Sequence, residues 1–444
     1  MKRTGWHWLA GSFFCLVPSI VQAQTPTEVP MRCATFQLER ILQQRNPGRL
    51  QQINELNQRI QKVQAEYGQL RRQADTTIYL IPVVVHIIHS TASGQIGGES
   101  NGNISDDQVL SQIQILNEDY RRKAGTNGYN TSSIGADAGI EFFLATTDPN
   151  GKPSTGITRH YYANKSSFDV LSYEDDLLLS TIAYWPSDRY LNIWVTKVDN
   201  NNLGFTPQYP TITKSDTLQG LPVDTDKLTD GVIVDYRAFG KQTVSSYYKS
   251  YALGRTATHE IGHWLGLFHP DGPYDDPCGD DYIADTPPTD NLNQTSSCTD
   301  IYSNCSGKRT RELIENYMMY SPDACMNMFT AGQVARMRTV LAISPSRANL
   351  FSGSVTPITE TEKLTINVYP NPTTTDPLLD VQLKGNQSFT VGVFDTSGRL
   401  LRTVSYADSP STRLSLSING LATGLYIVRV KTSTEMVSKR LLVQ

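Results

Sequence analysis

Apolar residues recur at spacings of three and four through Ile53, Leu56, Ile60, Val63, Tyr67 and Leu70, with Gln, Arg and Glu between them. That spacing gathers one apolar stripe and predicts an amphipathic helix. From Tyr79 to His89 the pattern changes to an unbroken Val/Ile-rich run, which predicts a strand buried on both faces. Ser105 then stands as an N-cap before Val109, Ile113, Ile115, Leu116 and Tyr120, a second helix. Strand-like runs follow at Ile140–Thr146, Gly156–Tyr162, Tyr190–Val198 and Gly231–Asp235, with Asn201, Asn202, Gly204 and Pro207 marking loops. Helices and strands alternate, which predicts an α/β (α+β) layer built on a parallel or mixed sheet. After His269 the periodicity disappears. Residues Pro270–Ser306 are rich in Asp, Pro, Gly, Asn and Cys, and so long a loop inside a domain is normally functional or cross-linked. A Ser/Thr/Pro-rich linker near Asn349–Glu362 leads into alternating strands at Ile366–Tyr369, Leu378–Leu383, Phe389–Phe394, Leu414–Ile418 and Leu425–Lys431. The tail is therefore expected to be a separate small all-β sandwich.

The length of 444 residues allows two or three domains, and a net charge of −4 supplies no basic field for nucleic acid. Lys2 and Arg3, an apolar run from Trp8 to Val21 and then Val21-Gln22-Ala23 form a signal peptide, with cleavage expected after Ala23. The run is too short to span a bilayer comfortably, and no other stretch is a transmembrane candidate. The expected organisation is a signal peptide at 1–23, a helical pro-segment at 24–73, a catalytic domain at 74–350, a linker at 351–363 and the β domain at 364–444. Export agrees with the cysteines. Removing the signal leaves Cys33 alone near the mature start and Cys278, Cys298, Cys305 and Cys325 together; four cysteines allow three pairings.

Candidate chemistry centres on His259-Glu260-Ile261-Gly262-His263-Trp264-Leu265-Gly266-Leu267-Phe268-His269. Residues four apart share a helix face, so His259 and His263 can grip one metal ion. Glu260 is rotated about 100° around the axis and can hold a water instead of ligating. Gly266 permits the positive φ of a sharp turn that brings His269 back as third ligand. Three neutral imidazoles with a fourth position open to water are the donor set of a catalytic zinc site. H-E-x-x-H-x-x-G-x-x-H is the signature of metzincin peptidases, in which a Met-turn follows.

Four further features bear on this chemistry. Cys33, as thiolate, can occupy the open zinc position and silence the enzyme. Leu70-Arg71-Arg72-Gln73 offers a basic cleavage site for its release. His86 and His89 lie in an apolar strand and are expected to be hydrogen-bonded core residues, not ligands. Asp275, Asp276, Asp280, Asp281, Asp285 and Thr286 crowd one loop, and clustered carboxylates suit calcium, although no EF-hand pattern is present.

The histidine motif, Asn316-Tyr317-Met318-Met319-Tyr320, Asp285-Thr286-Pro287 and the flanking cysteines together resemble the pappalysin branch of the metzincins, over about Thr76 to Leu350. The resemblance implies that Met318 forms the floor beneath the zinc and that Tyr320 stabilises the oxyanion. It implies disulfides Cys278–Cys305 and Cys298–Cys325, a pro-segment cysteine at Cys33 and calcium at Asp280–Pro287. It also implies a taste for a basic residue just after the cleaved bond, with Asp323 as candidate base of the pocket. Met319 departs from the pattern, since relatives often carry Asp there. In the tail, Tyr369-Pro370-Asn371-Pro372, Asp395-Thr396-Ser397-Gly398-Arg399, Leu421-Ala422-Thr423-Gly424-Leu425-Tyr426 and Lys439-Arg440-Leu441-Leu442 resemble the C-terminal sorting domain of type IX secretion substrates in Bacteroidetes. This implies passage through that machinery to the medium or the outer cell surface.

The expectation is a secreted, monomeric, zymogenic zinc endopeptidase acting on proteins or peptides, with Glu260 as general base. A surface adhesin that keeps the fold without turnover is the rival of another class. The intact ligands and Glu260 argue against it, and the Met-turn argues against a zinc hydrolase of non-peptide substrates.

Overall fold

The computed structural model describes residues 30–45, 47–67, 78–98, 100–210, 228–242, 248–273, 277–290, 292, 297–344, 347, 350, 364–383, 385, 387–396, 398–409 and 412–444. The signal peptide, the basic site at 70–73, Asp275, Asp276 and the linker at 351–363 lie outside the described residues. In chain order the elements are α1 (Thr35–Arg45), α2 (Gly48–Tyr67), β1 (Tyr79–His89), α3 (Asp106–Tyr120), β2 (Ile140–Leu144), β3 (Ile157–Tyr161), α4 (Tyr173–Ile182), β4 (Leu191–Thr196), β5 (Gly204–Phe205) and β6 (Gly231–Asp235). Then come α5 (Arg255–Trp264), the short β7 (Tyr302–Ser303) and β8 (Thr310–Arg311), and α6 (Ala331–Ile343).

β1 is the central strand. Its first half pairs with β2 and its second half with β3, both parallel, and its other edge pairs in parallel with β4. β6 adds in parallel to β4, and β5 closes the edge antiparallel to β6, so the sheet is mixed. The Val/Ile run of β1 needs cover on both faces, and side-chain alternation supplies two separate cores. Ile87, Ile193, Val195, Val232 and Val234 pack toward Val109 and Leu116 of α3 and Ile261 and Trp264 of α5. Their neighbours Ile88, Trp194 and Ile233 face the other way, onto Leu179 of α4 and onto Ala34, Leu38 and Leu42 at and within α1. A third cluster joins Ile53, Leu56 and Ile60 of α2 to Phe268 and to Val340 of α6. The helices before β1 are thus part of the packed body.

Ser105 caps α3 by accepting from Gln108 N, as its sequence context predicts. His86 is a core histidine: its ring nitrogens lie 2.7 Å from Thr158 Oγ1 and 3.0 Å from Asn192 Oδ1. α1, α4 and α6 escape the periodicity analysis. In α6 the reason is visible: Arg336 and Arg338 are buried beside Val334, Met337 and Val340, which removes the polar face that would mark an amphipathic helix. Arg336 donates through Nε to Gly266 O and through Nη2 to Asn57 of α2. The loop after α5 is cross-linked by Cys278–Cys305 and Cys298–Cys325, and Cys33 is unpaired and buried.

The tail forms two sheets: β9 (Thr365–Tyr369), β10 (Leu378–Gln382) and β13 (Thr412–Ser415) in one, and β11 (Gln387–Asp395), β12 (Leu400–Ser409), β14 (Gly424–Thr432) and β15 (Met436–Val443) in the other. Val368, Leu379 and Val381 meet Val391, Val393, Val428 and Val430 in a core of their own. β12 is an edge strand carrying exposed Val404, which blunts the alternation that betrays the other strands.

Candidate active site

α5 is buried along its whole length. Contacts along its whole length hold it. Tyr120 donates to Thr258 O, Arg255 pairs with Asp119 at 3.2 Å, and Trp264 Nε1 donates to Asp230 at 3.0 Å. The helix ends where Gly266 takes φ +89°, with Gly266 N donating to His263 O and Leu267 N to Gly262 O. This is a Schellman stop, and the left-handed residue is what glycine allows cheaply. The turn has a second use: it aims the Leu267 carbonyl back at His263 Nδ1, 2.8 Å away.

His259 Nδ1 is likewise 2.6 Å from Tyr317 O. A carbonyl only accepts, so both Nδ1 atoms carry the proton and both Nε2 atoms present lone pairs. The Nε2 atoms of His259, His263 and His269 form a triangle with edges of 3.0, 3.1 and 3.2 Å. Lone pairs facing one another at such distances repel unless a cation lies among them, and tetrahedral zinc with Zn–N near 2.05 Å places its nitrogens about 3.3 Å apart. The donor set therefore fits zinc. Burial, and then the neighbouring imidazoles, keep His259 and His263 far below the ordinary histidine range, hence neutral and ready to ligate.

Cys33 Sγ belongs to the same cluster, its sulfur and the three ring nitrogens all lying within 4.8 Å of one another. Among the described residues this is the group close enough to share an ion. Glu260 lies beside it. Its Oε2 faces Thr206 Oγ1 at 3.1 Å, Thr35 Oγ1 at 3.2 Å and Cys33 Sγ at 3.6 Å, while Oε1 is buried without a hydrogen-bond partner among the described residues. Burial pushes the Glu260 carboxyl up to about 8 against those hydrogen bonds. Burial first, and then the Glu260 charge, push the Cys33 thiol up as well.

Met318 is buried against Gly262 of α5, its backbone N–H held by Asn316 Oδ1 at 2.9 Å. Asn316 in turn exchanges side-chain hydrogen bonds with Gln333, the capping-box residue of α6. A Cβ on Gly262 would sit 2.5 Å from Met318 Sδ, so the second variable position of the histidine motif is glycine because the methionine needs the space. The Tyr320 ring meets His269 edge-on at 4.9 Å, and its hydroxyl donates to Cys33 O at 3.2 Å.

Asp323 stands against the start of α5. Its Oδ2 accepts from Leu253 N and Arg255 N at the start of α5, and its Oδ1 is 2.6 Å from Arg32 Nη2. Both side chains of this ion pair are fully buried. The acidic loop is less convergent. Asp281 takes hydrogen bonds from Thr286 Oγ1, Asp280 from Tyr282 N, and Asp285 from Thr330 Oγ1 and Gly332 N at the first turn of α6. Residues that the sequence did not single out complete the centre: Arg32, Thr35, Phe36 and Thr206. Phe36 stands edge-on to His263 and His269 at 5.3 and 4.6 Å. Arg32 and Thr35 flank Cys33 directly, which was the available signal; nothing local marks Thr206.

A buried helix packed on a mixed sheet and carrying three convergent imidazoles defines a zinc metallopeptidase of the metzincin type. The profile described as pregnancy-associated plasma protein-A matches residues 180–342, and that of the secretion system C-terminal sorting domain matches residues 367–444. Extracellular metalloprotease 1 of Coccidioides posadasii is 31% identical over 257 residues, 57% of this chain and 74% of the relative. A mutant promirolysin of Tannerella forsythia superposes with a TM-score of 0.54 at 34% identity, over 72% of this chain and 96% of that one. Mature mirolysin from the same organism, in complex with a cleaved peptide, gives 0.51 at 37% identity, over 62% and 96%. The chain belongs to the pappalysin family of metallopeptidases and carries a type IX sorting domain, which makes it an extracellular protein. Among the described residues no helix is long and apolar enough to cross a membrane.

Gly262→Ala is expected to destabilise the protein by about 1–3 kcal/mol through overpacking. Thermal unfolding should show a smaller cost when Met318→Ala is already present; equal costs in both backgrounds would mean that the methionine does not set the glycine.

Proposed function

We propose that the chain is a latent zinc endopeptidase in which His259, His263 and His269 hold the ion, Glu260 is the general base and Cys33 keeps the centre silent. The observation that carries this is the Nε2 triangle with the unpartnered Glu260 Oε1 beside it. Bound zinc supplies Lewis acidity, which acidifies a water and polarises a carbonyl. Glu260 Oε1 takes the proton of the attacking water and returns it to the leaving amine. Thr206 orients the other carboxylate oxygen. Tyr320 donates its hydroxyl to the developing oxyanion once Cys33 O has left it. Met318 supports the imidazoles from below.

Latency is supported by residues 31–36, which run along the 201–204 edge with Met31 N bonded to Asn201 O, Leu203 N to Met31 O and Ala34 N to Gly204 O. They bring Cys33 Sγ within 4.8 Å of the histidine ring nitrogens. A preference for a basic residue after the cleaved bond is supported by Arg32, whose guanidinium already occupies the buried carboxylate of Asp323. Calcium at the Asp280–Pro287 loop belongs to the same proposal. Its support is Asp281, 3% exposed, whose carboxyl burial pushes up to about 7. A divalent cation would remove the penalty of ionising it. The sorting domain delivers the product outside through the type IX machinery.

Three outcomes are expected. With the pro-segment removed, the zinc-loaded protein cleaves a diverse peptide pool, and Glu260→Gln lowers kcat/KM about 10³-fold with zinc content unchanged. Undiminished cleavage by the variant would remove Glu260 from its role. The cobalt-substituted full chain shows a thiolate-to-metal charge-transfer band that Cys33→Ser abolishes; absence of the band in the unaltered chain would mean that Cys33 is not a ligand. For Asp281, a raised folded pKa means that its contribution is complete below the ordinary value and lost as pH rises through about 7. At pH 8 in EDTA, Asp281→Asn therefore keeps or raises Tm, and calcium stabilises only the unaltered protein. An equal calcium response in both would place the ion elsewhere.

A further inference from the structure

We infer that Tyr251 makes the Asp323 pocket selective for arginine over lysine. The inference rests on the reading of that pocket as the seat of the residue after the cleaved bond. Arg32 shows how the pocket treats a guanidinium. Its polar contacts come from one atom: Nη2 donates to Ser321 O at 2.7 Å and to Asp323 Oδ1 at 2.6 Å. Nε and Nη1 are buried and have no hydrogen-bond partner among the described residues. The pocket thus makes no bidentate fork, the arrangement by which carboxylates usually tell arginine from lysine. An ammonium placed at the Nη2 position would make the same two contacts.

What remains to recognise the plane of the guanidinium is a ring. Tyr251, 2% exposed, lies with its centroid 4.9 Å from Arg32 Cζ. A flat, weakly hydrated guanidinium gains from stacking on an aromatic face; a compact, strongly hydrated ammonium gains less and loses more water. The ring is also held in register with the charge it accompanies. Tyr251 N donates to Tyr248 O, and two residues further on Leu253 N donates to Asp323 Oδ2, so one short segment carries both the aromatic face and a fixed donor to the carboxylate. Tyr251 is a specificity residue here and takes no part in bond breaking.

The test uses the zinc-loaded protein freed of its pro-segment and two peptides that differ only in Arg or Lys after the scissile bond. A desolvated stacking contact corresponds to about tenfold in kcat/KM, so the unaltered enzyme is expected to favour the Arg peptide by that factor. Tyr251→Phe, which keeps the ring, should preserve the ratio. Tyr251→Leu should bring it close to one by lowering kcat/KM for Arg, with the Lys value little changed. A ratio near one in the unaltered enzyme, or an unchanged ratio in Tyr251→Leu, would overturn the role of Tyr251 while leaving an acidic pocket intact. Cleavage of both peptides no better than of an uncharged one would instead overturn the pocket itself. The full chain gives a second readout that needs no change at Tyr251: Arg32→Lys should raise basal peptidase activity about tenfold, by loosening the same stack. Basal activity equal to that of the unaltered chain would count against the inference.

Discussion

Three nitrogen lone pairs aimed at one point are the constraint on which the rest of the molecule depends. Left to itself a histidine would rotate away or take a proton, and either escape would relieve the repulsion. Both are closed. The carbonyls of Tyr317 and Leu267 fix the protons of two rings on the far side, and complete burial makes a positive imidazolium costly. Each restraint reaches into a different part of the chain: the Schellman turn supplies one carbonyl, the Met-turn the other. The sheet, α3 and α6 hold those two turns in place. A site strained in this way has one comfortable partner, a cation.

The legibility of the protein follows the range of its interactions. The histidine motif, the glycine stop and the Ser105 cap are local, and spacing alone revealed them. The parallel sheet was readable because β1 is apolar without interruption, as a strand covered on both faces must be. α6 was hidden by its buried arginines, whose partners Gly266 and Asn57 lie far away in sequence. Thr206 was hidden in the same sense: its hydroxyl matters only because β5 brings it to Glu260, 54 residues distant. Arg32 stood in plain view beside Cys33, yet its meaning depended on Asp323, 291 residues away. In the acidic loop, composition showed the crowding of carboxylates but not their partners, Thr330 and Gly332 for Asp285 and Thr286 for Asp281.

The Met-turn shows how two motifs that look independent in sequence are one object. Gly262 has no side chain because Met318 fills the space beneath it, and Met318 is held there through Asn316 and Gln333. The methionine is therefore coupled to the cap of α6, and a change at that cap would be felt by the histidines without touching them.

The pro-segment is shared among three apolar cores: Cys33 in the first, Leu38 and Leu42 in the second, Phe36, Leu56 and Ile60 in the third. The proposed latency and the packing consequently ride on the same residues. On the proposed maturation the chain would lose part of its own interior, and Phe268 and Val340 the helix that covers them. Such a protein would stand lower on its unfolding curve than its precursor, with no route back to it. The proposed cut would then work as a clock as well as a switch, since it would both start proteolysis and begin the enzyme's ageing.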